Sequence, residues 1–393
     1  MTTTLVGKSA GIVLPESAAP LTGGLVFRFL RHAGVNDADL RRLKLADVLI
    51  LPLIAWLPLF VLTAIAGTLM PGSITAPFAL DLSTHIRLLG ALPLLLLGGL
   101  VSEVRVLPTI AQFVERRLIP EGSMERFQRD VDSAFRLGDS VIADLLLIAI
   151  IYAVDATVLR SQFAQNATSW KSGSAAGAYD LYVSLPIFQF VLLRWYYRLF
   201  VWARFLVRVS RLRLQLLPTH PDRMGGLGFL ITGVQTLTIF AMAHGVLLAG
   251  WLSARVIVRG TPIQTLKAEI VAMPIFVICL CLAPLLVFTR SLVRAKRQGI
   301  ADYGALASAY ARDFAEKWVR GSDSGEVLVG SADIQSLADM GGSYDIVQSM
   351  RNVAITPQII IAFAIVTLLP VAPLLLTAMP LSEILKRLAG ILF

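Results

Sequence analysis

Between Leu217 and Phe229 the chain reads L-P-T-H-P-D-R-M-G-G-L-G-F, which puts an imidazole, a carboxylate and a guanidinium within four residues. His220 and Asp222 are acid/base candidates by type and spacing, and Arg223 adds a cation beside them. Gly225 and Gly226, with Gly228, let backbone approach a ligand closely, while Pro218 and Pro221 stiffen the run. An apolar helix begins where the loop ends. Its free N–H groups, with Arg223 nearby, make a candidate site for an anion, a phosphate or a lipid headgroup. The plainer reading is a tight turn in which Asp222 caps the helix.

A second set of ionisable residues lies inside apolar stretches, where a charge is a functional hypothesis by default. Asp144 and Asp155 are 11 residues apart, which places them within about 20° of one another on a helix. Arg194 and Arg198 sit in another stretch with Gln189 one to two turns away. An Asp144–Arg194 pair at matched depth would hide both charges; unpaired, the arginines would line a polar path for anions. Arg198 also reads as a snorkelling side chain among Trp195, Tyr196, Tyr197 and Trp202, an aromatic belt. His244 falls near the depth of Asp155, and an Asp155–His244 contact would suit either a proton relay or a plain hydrogen bond between helices.

The elements that must position these groups follow from composition. Of 393 residues, 56% are apolar and only 16% charged, against roughly 25% charged in soluble domains. Mean hydropathy is +0.73. That excludes a disordered chain, a fibre and an ordinary soluble enzyme, and leaves an all-α polytopic membrane protein. Seven apolar stretches reach the roughly 20 residues a crossing needs: near 47–69, 86–104, 138–159, 181–203, 227–251, 269–290 and 355–378. Of the 35 Lys and Arg, 25 lie in the arm to Lys44, in 105–136, in 204–223 and in 290–351; 8 lie in the alternate segments, and Arg194 and Arg198 lie within a span. The bias predicts a cytoplasmic N-terminus, seven crossings and a periplasmic C-terminus. The net charge of +9 is thus read as orientation and not as a nucleic-acid footprint.

The expected organisation is a cytoplasmic arm over 1–44, carrying an interfacial helix G-L-V-F-R-F-L-R, then a six-helix bundle over 45–290 with cytoplasmic loops 105–137 and 204–226. A cytoplasmic helical segment follows over 291–353, and a seventh span with an amphipathic tail over 354–393. In the third part, Tyr303, Leu306, Ala307, Tyr310, Phe314 and Trp318 recur at helical spacing. Ser331 is placed to cap a helix over Asp333–Met340 that Gly341-Gly342 ends. Pro52, Pro58, Pro93, Pro186, Pro274, Pro284, Pro370 and Pro373 fall within spans and predict broken helices of the kind transporters use. Cys279 and Cys281 are two apart, on different faces, and form no metal motif; four scattered histidines give no metal cluster. Asn166-Ala-Thr168 is a formal glycosylation sequon. No cofactor is expected.

Two segments, P-T-H-P-D-R-M-G-G-L-G-F-L at Pro218–Leu230 and S-A-D-I-Q-S-L-A-D-M-G-G-S-Y-D-I-V at Ser331–Val347, with the ending P-L-S-E-I-L-K-R-L, resemble a pattern of bacterial multipass membrane proteins with no assigned activity. The resemblance covers about a tenth of the chain. It implies a bacterial inner-membrane location and transfers no functional residues. The first functional expectation is a homo-oligomeric ion or solute conduit with some anion preference, motivated by the basic face, Arg194 and the proline-bearing spans. The alternatives are a membrane-interface enzyme on lipid-linked or phosphorylated substrates, with His220 and Asp222 as acid/base groups, and a scaffold or signalling protein acting through 291–353.

Overall fold

The computed structural model describes residues 37–72, 76–163, 169–321 and 330–374. Nine helices organise these residues: α1 (Asp37–Ile65), α2 (Leu82–Glu115), α3 (Met124–Gly138), α4 (Val141–Phe163), α5 (Ala175–Ser210), α6 (Phe229–Val258), α7 (Ile263–Arg320), α8 (Ala332–Ser349) and α9 (Pro357–Leu374). Among the described residues the one β-type contact is an isolated bridge between Ala76 and Ser169. Among the described residues six helices are long and apolar enough to cross a membrane. A seventh is counted if Glu121–Gly138 and Val141–Ala156, bent by 41° at their junction, form one span. The chain is therefore an all-α polytopic membrane protein. Residues 1–36 of the expected N-terminal arm, the sequon at Asn166 and the amphipathic tail lie outside the described residues, and the last part of that arm, from Asp37, already belongs to α1.

The prolines do not break the spans. Pro93 follows a π-helical turn over Ile86–Ala91, and Pro186 follows another over Asp180–Ser184. Pro284 and Pro370 lie in 3₁₀ turns, Ala283–Phe288 and Leu369–Val371. A proline has no N–H and crowds the carbonyl four residues back. A local change of helical pitch absorbs both problems, and the helix continues.

Helix α6 is the centre of the bundle: 61% of its apolar window is buried, against 22–39% for the other spans. It packs on α2, α7 and α9. Against α9 the approach is backbone to backbone, since a Cβ on Gly245 would stand 2.0 Å from the Thr367 carbonyl oxygen. Near one end of the bundle Phe113, Phe127, Phe205, Phe229 and Phe288 form a buried aromatic cluster joining α2, α3, α5, α6 and α7, with the Phe113 and Phe229 rings 4.9 Å apart and edge to face. The described parts of the segments 105–138, 204–228 and 290–356 gather here, making this the basic end.

Helix α7 is one continuous helix of 58 residues, about 87 Å long at 1.5 Å per residue. That is roughly three times the hydrocarbon thickness. The border expected at residue 290 is thus no break, because the span runs directly into the polar segment. Its far half pairs with α8. Contrary to the expected stop at Gly341-Gly342, α8 continues to Ser349. Tyr344 lies against Gly304, and the fully buried Val347 against Gly299 of α7, so packing beyond the glycines outweighs their poor helix propensity. Ser331 takes the N-cap position with extended backbone, yet its hydroxyl makes no capping bond.

The opposite end is closed by an ion cluster that sequence reasoning did not anticipate. Lys171, in the connection before α5, lies 3.4 Å from Asp81 and 3.1 Å from Asp180, and Asp180 also pairs with Arg87 at 3.0 Å. The Trp170 indole donates to Asp81 at 3.2 Å. Burial works against ionisation of Asp81. The Lys171 ammonium and hydrogen bonds from Ser83 and Thr84 outweigh it and hold the carboxyl far below the usual carboxylate range.

Candidate functional site

The Leu217–Phe229 run folds around the Asp222 carboxylate. One oxygen accepts from the backbone N–H of Met224 at 2.8 Å and of Gly226 at 3.2 Å; the other accepts from Gly228 at 2.8 Å. The reversal this requires puts Arg223, Gly225 and Gly226 at φ of 55°, 63° and 97°, the region that favours glycine. Arg223 carries that strain with a side chain, at a cost on the order of 1–2 kcal/mol. Gly228 has no room for a side chain, because a Cβ there would lie 2.9 Å from the Asp222 carboxylate. The N–H groups of this turn therefore bind the protein's own carboxylate.

Three other elements fasten the loop. Arg116, at the end of α2, donates to the Gly226 carbonyl at 3.0 Å, lies 3.8 Å from Asp222 and stacks over Phe229 at 5.1 Å. The stretch before the loop bonds the α2–α3 connection through Gln215 N–H to Leu118 O at 2.9 Å. The Arg351 N–H donates to the Arg223 carbonyl at 2.7 Å, and Lys296 of α7 donates to Met350 O at 2.8 Å. The connection between α8 and α9 thus forms one wall.

These parts enclose an open cleft of about 510 Å³. Arg116, Arg223 and Arg351 line it with His220, Asp222, Gln112, Thr232 and Thr356. Three arginines and one aspartate line it, so the cleft is basic. Nδ1 of His220 lies 2.9 Å from Asp222 Oδ1 and 3.2 Å from the Asp222 N–H. Protonated, that nitrogen donates to the carboxylate; bare, it accepts from the N–H. Either way Nδ1 is engaged by Asp222 and Nε2 is the nitrogen left for a ligand. Arg223 also borders a second groove, of about 440 Å³, with Asp345, Gln348 and Ser349.

The intramembrane ionisable residues are elsewhere and each has a neighbour. The Arg194 guanidinium pairs with Asp144, which is fully buried, and donates to the Gly138 carbonyl at 2.7 Å. Arg198, one turn on, lies over the Trp195 ring at 5.3 Å. The expected Asp155–His244 contact is not formed. Gln189 donates to Asp155 at 2.9 Å, while His244 pairs with the Tyr196 hydroxyl at 2.8 Å and with the Phe240 carbonyl at 2.9 Å. The two side-chain partners, Gln189 and Tyr196, come from α5. Its side chains intervene, and equal depth did not mean adjacency.

Of the residues singled out from the sequence, His220, Asp222, Arg223, Gly225 and Gly226 come together in the loop. Arg194, Asp144, Arg198, Asp155 and His244 do not join them. Sequence reasoning missed Gln112, Arg116, Thr232, Arg351 and Thr356. A signal for part of this set was present: Ser102, Arg105, Thr109, Gln112 and Arg116 recur every three or four residues, a polar stripe along a span that should be apolar. Arg351 and Thr356 carry no such signal, because only tertiary folding brings the α8–α9 connection to the loop. Comparison of the chain with protein-family models, with curated proteins and with solved structures finds no match.

Proposed function

We propose that this integral membrane protein binds a phosphate-bearing group in the basic cleft, at the cytoplasmic face of a bacterial inner membrane. The observation that carries the reading is the convergence of Arg116, Arg223 and Arg351 on one open cleft beside His220 and the hydroxyls of Thr232 and Thr356. Guanidinium groups match phosphate oxygens in geometry and charge. Asp222, held by three backbone N–H groups, offsets one of the three positive charges and leaves the cleft net positive. The orientation rests on the excess of Lys and Arg in the segments that gather at this end.

The conduit reading drew on Arg194 as an intramembrane cation. With Arg194 paired to Asp144 inside the bundle, the cleft supports recognition more strongly than passage. The enzyme reading has one observation in its favour: Asp222 orients His220 as carboxylates orient catalytic and metal-bound imidazoles. Nε2 is then placed to give or take a proton at a bound phosphate ester.

The test is the melting temperature of the purified protein in detergent, titrated with glycerol 3-phosphate and with inorganic phosphate. Binding to the folded state alone raises stability by about 2.7 kcal/mol at a ligand concentration 100 times Kd. Wild type is expected to shift, and Arg351→Gln to need roughly tenfold more ligand for the same shift. No shift in wild type with either ligand sinks the binding reading. His220→Gln is expected to keep the shift; turnover of a phosphate ester that survives this substitution removes the enzyme reading.

A further inference from the structure

The polar stripe of α2 does not stop at the cleft. Two to three turns deeper, Ser102, Arg105 and Thr109 line a separate pocket between α2, α5 and α6, with Arg198, Trp195 and Trp202 on the facing wall. Its volume of about 50 Å³ is several times the ~10–15 Å³ that one water requires, room for a group the size of a phosphate. Arg105 is exposed on the outside of the bundle, within the α2 span, and its guanidinium has no hydrogen bond or ion pair among the described residues. The Nε of Arg198 is buried and has no hydrogen-bond partner among the described residues.

The charges near Arg198 are Arg194, Glu103 and Asp144. Arg194 and Asp144 neutralise one another, and Glu103 offsets one of the two pocket arginines. One positive charge remains, flanked by two indoles. Arg198 lies five residues inside the expected end of the fourth apolar stretch at 203, about 8 Å along the axis. With α5 read as a span, that depth is the level of lipid headgroups. A cation at that depth, with tryptophans beside it and an apolar wall, matches the way lipid phosphates are held between spans.

We propose that this pocket holds the phosphate of an anionic membrane lipid, between Arg105 of α2 and Arg198 of α5, as a site distinct from the cleft. The hydroxyls of Ser102 and Thr109 donate to carbonyls of their own helix, Gly99 at 2.9 Å and Arg105 at 2.8 Å. The arginines are thus the groups that recognise the ligand.

The test is native mass spectrometry of the purified full-length protein with phosphatidylglycerol and phosphatidylcholine of equal chain length. Wild type is expected to retain phosphatidylglycerol at least tenfold better. Arg105→Gln with Arg198→Gln is expected to lose that preference about tenfold, while Arg105→Lys with Arg198→Lys keeps most of it. Equal retention of the two lipids by wild type overturns the proposal and requires no variant, so a misfolded double glutamine variant leaves it testable. Displacement of the lipid by millimolar inorganic phosphate also overturns it, by making the site one for free anions. The double glutamine variant is further expected to titrate with glycerol 3-phosphate as wild type does, so failure of this site and failure of the cleft are read apart.

Discussion

Asp222 makes the cleft by giving its charge to three backbone N–H groups. An unsatisfied N–H costs about 1–3 kcal/mol, so Asp222→Ala is expected to destabilise the protein by roughly 2–4 kcal/mol in mixed-micelle unfolding and to abolish the glycerol 3-phosphate shift. Asp144 and Arg194 pose a different problem, because removing one partner leaves the other charge buried. Asp144→Asn should cost roughly 3–5 kcal/mol, and Asp144→Leu with Arg194→Met should recover most of it; a double variant as unstable as the sum of the singles would mean the pair is not coupled. Asp81 yields a pH prediction. Its carboxyl is held below the usual range in the fold, so its contribution is complete above the unfolded value near pH 3.9 and is lost as pH falls beneath it. The stability gap between wild type and Asp81→Asn should stay flat from pH 8 to 5 and narrow only below about pH 4. A gap that closes between pH 7 and 5 contradicts this.

Helices in this chain obey packing before propensity. The expected seven apolar stretches correspond to helices because length and composition suffice to write a span. What sequence could not write was how each irregularity would be absorbed. Of the prolines foreseen as breaks, Pro93 and Pro186 follow π turns, Pro284 and Pro370 lie in 3₁₀ turns, and Pro52, Pro58 and Pro274 sit within α-helix, since a membrane helix must keep its backbone satisfied. Gly341-Gly342, foreseen as a stop, lies within α8, since Tyr344 and Val347 beyond it touch α7. At the candidate site, the loop residues were legible from their types. Arg351 and Thr356 were not, being more than 120 residues away in sequence and lacking any pattern of their own. The glycines make this testable. Gly341 has open space around it, and Gly341→Ala should stabilise α8 by about 0.5–1 kcal/mol. Gly245 faces the Thr367 carbonyl, and Gly245→Ala should cost about 3 kcal/mol because backbone cannot step aside. Equal effects at the two positions would contradict the assignment of α6 as the helix against which α9 closes.

At the scale of the molecule, two ends of unlike character sit on one bundle. One is closed by the Asp81, Lys171, Asp180 and Arg87 cluster around Trp170. The other gathers the basic segments and opens into the cleft. The charge asymmetry predicts which end faces the cytoplasm. Single cysteines placed at Arg213 and at Lys267, in a background without Cys279 and Cys281, should react with a membrane-impermeant maleimide on whole cells at the second position and not at the first; the reverse pattern would invert the orientation. The central claim is that the basic end recognises phosphate. Titration calorimetry with glycerol 3-phosphate tests it most directly, on wild type and on Arg116→Gln with Arg351→Gln, at two salt concentrations. The account predicts saturable binding by wild type that weakens with salt, and affinity at least tenfold lower in the double variant. No heat of binding in wild type, or the same affinity in both proteins, would contradict it.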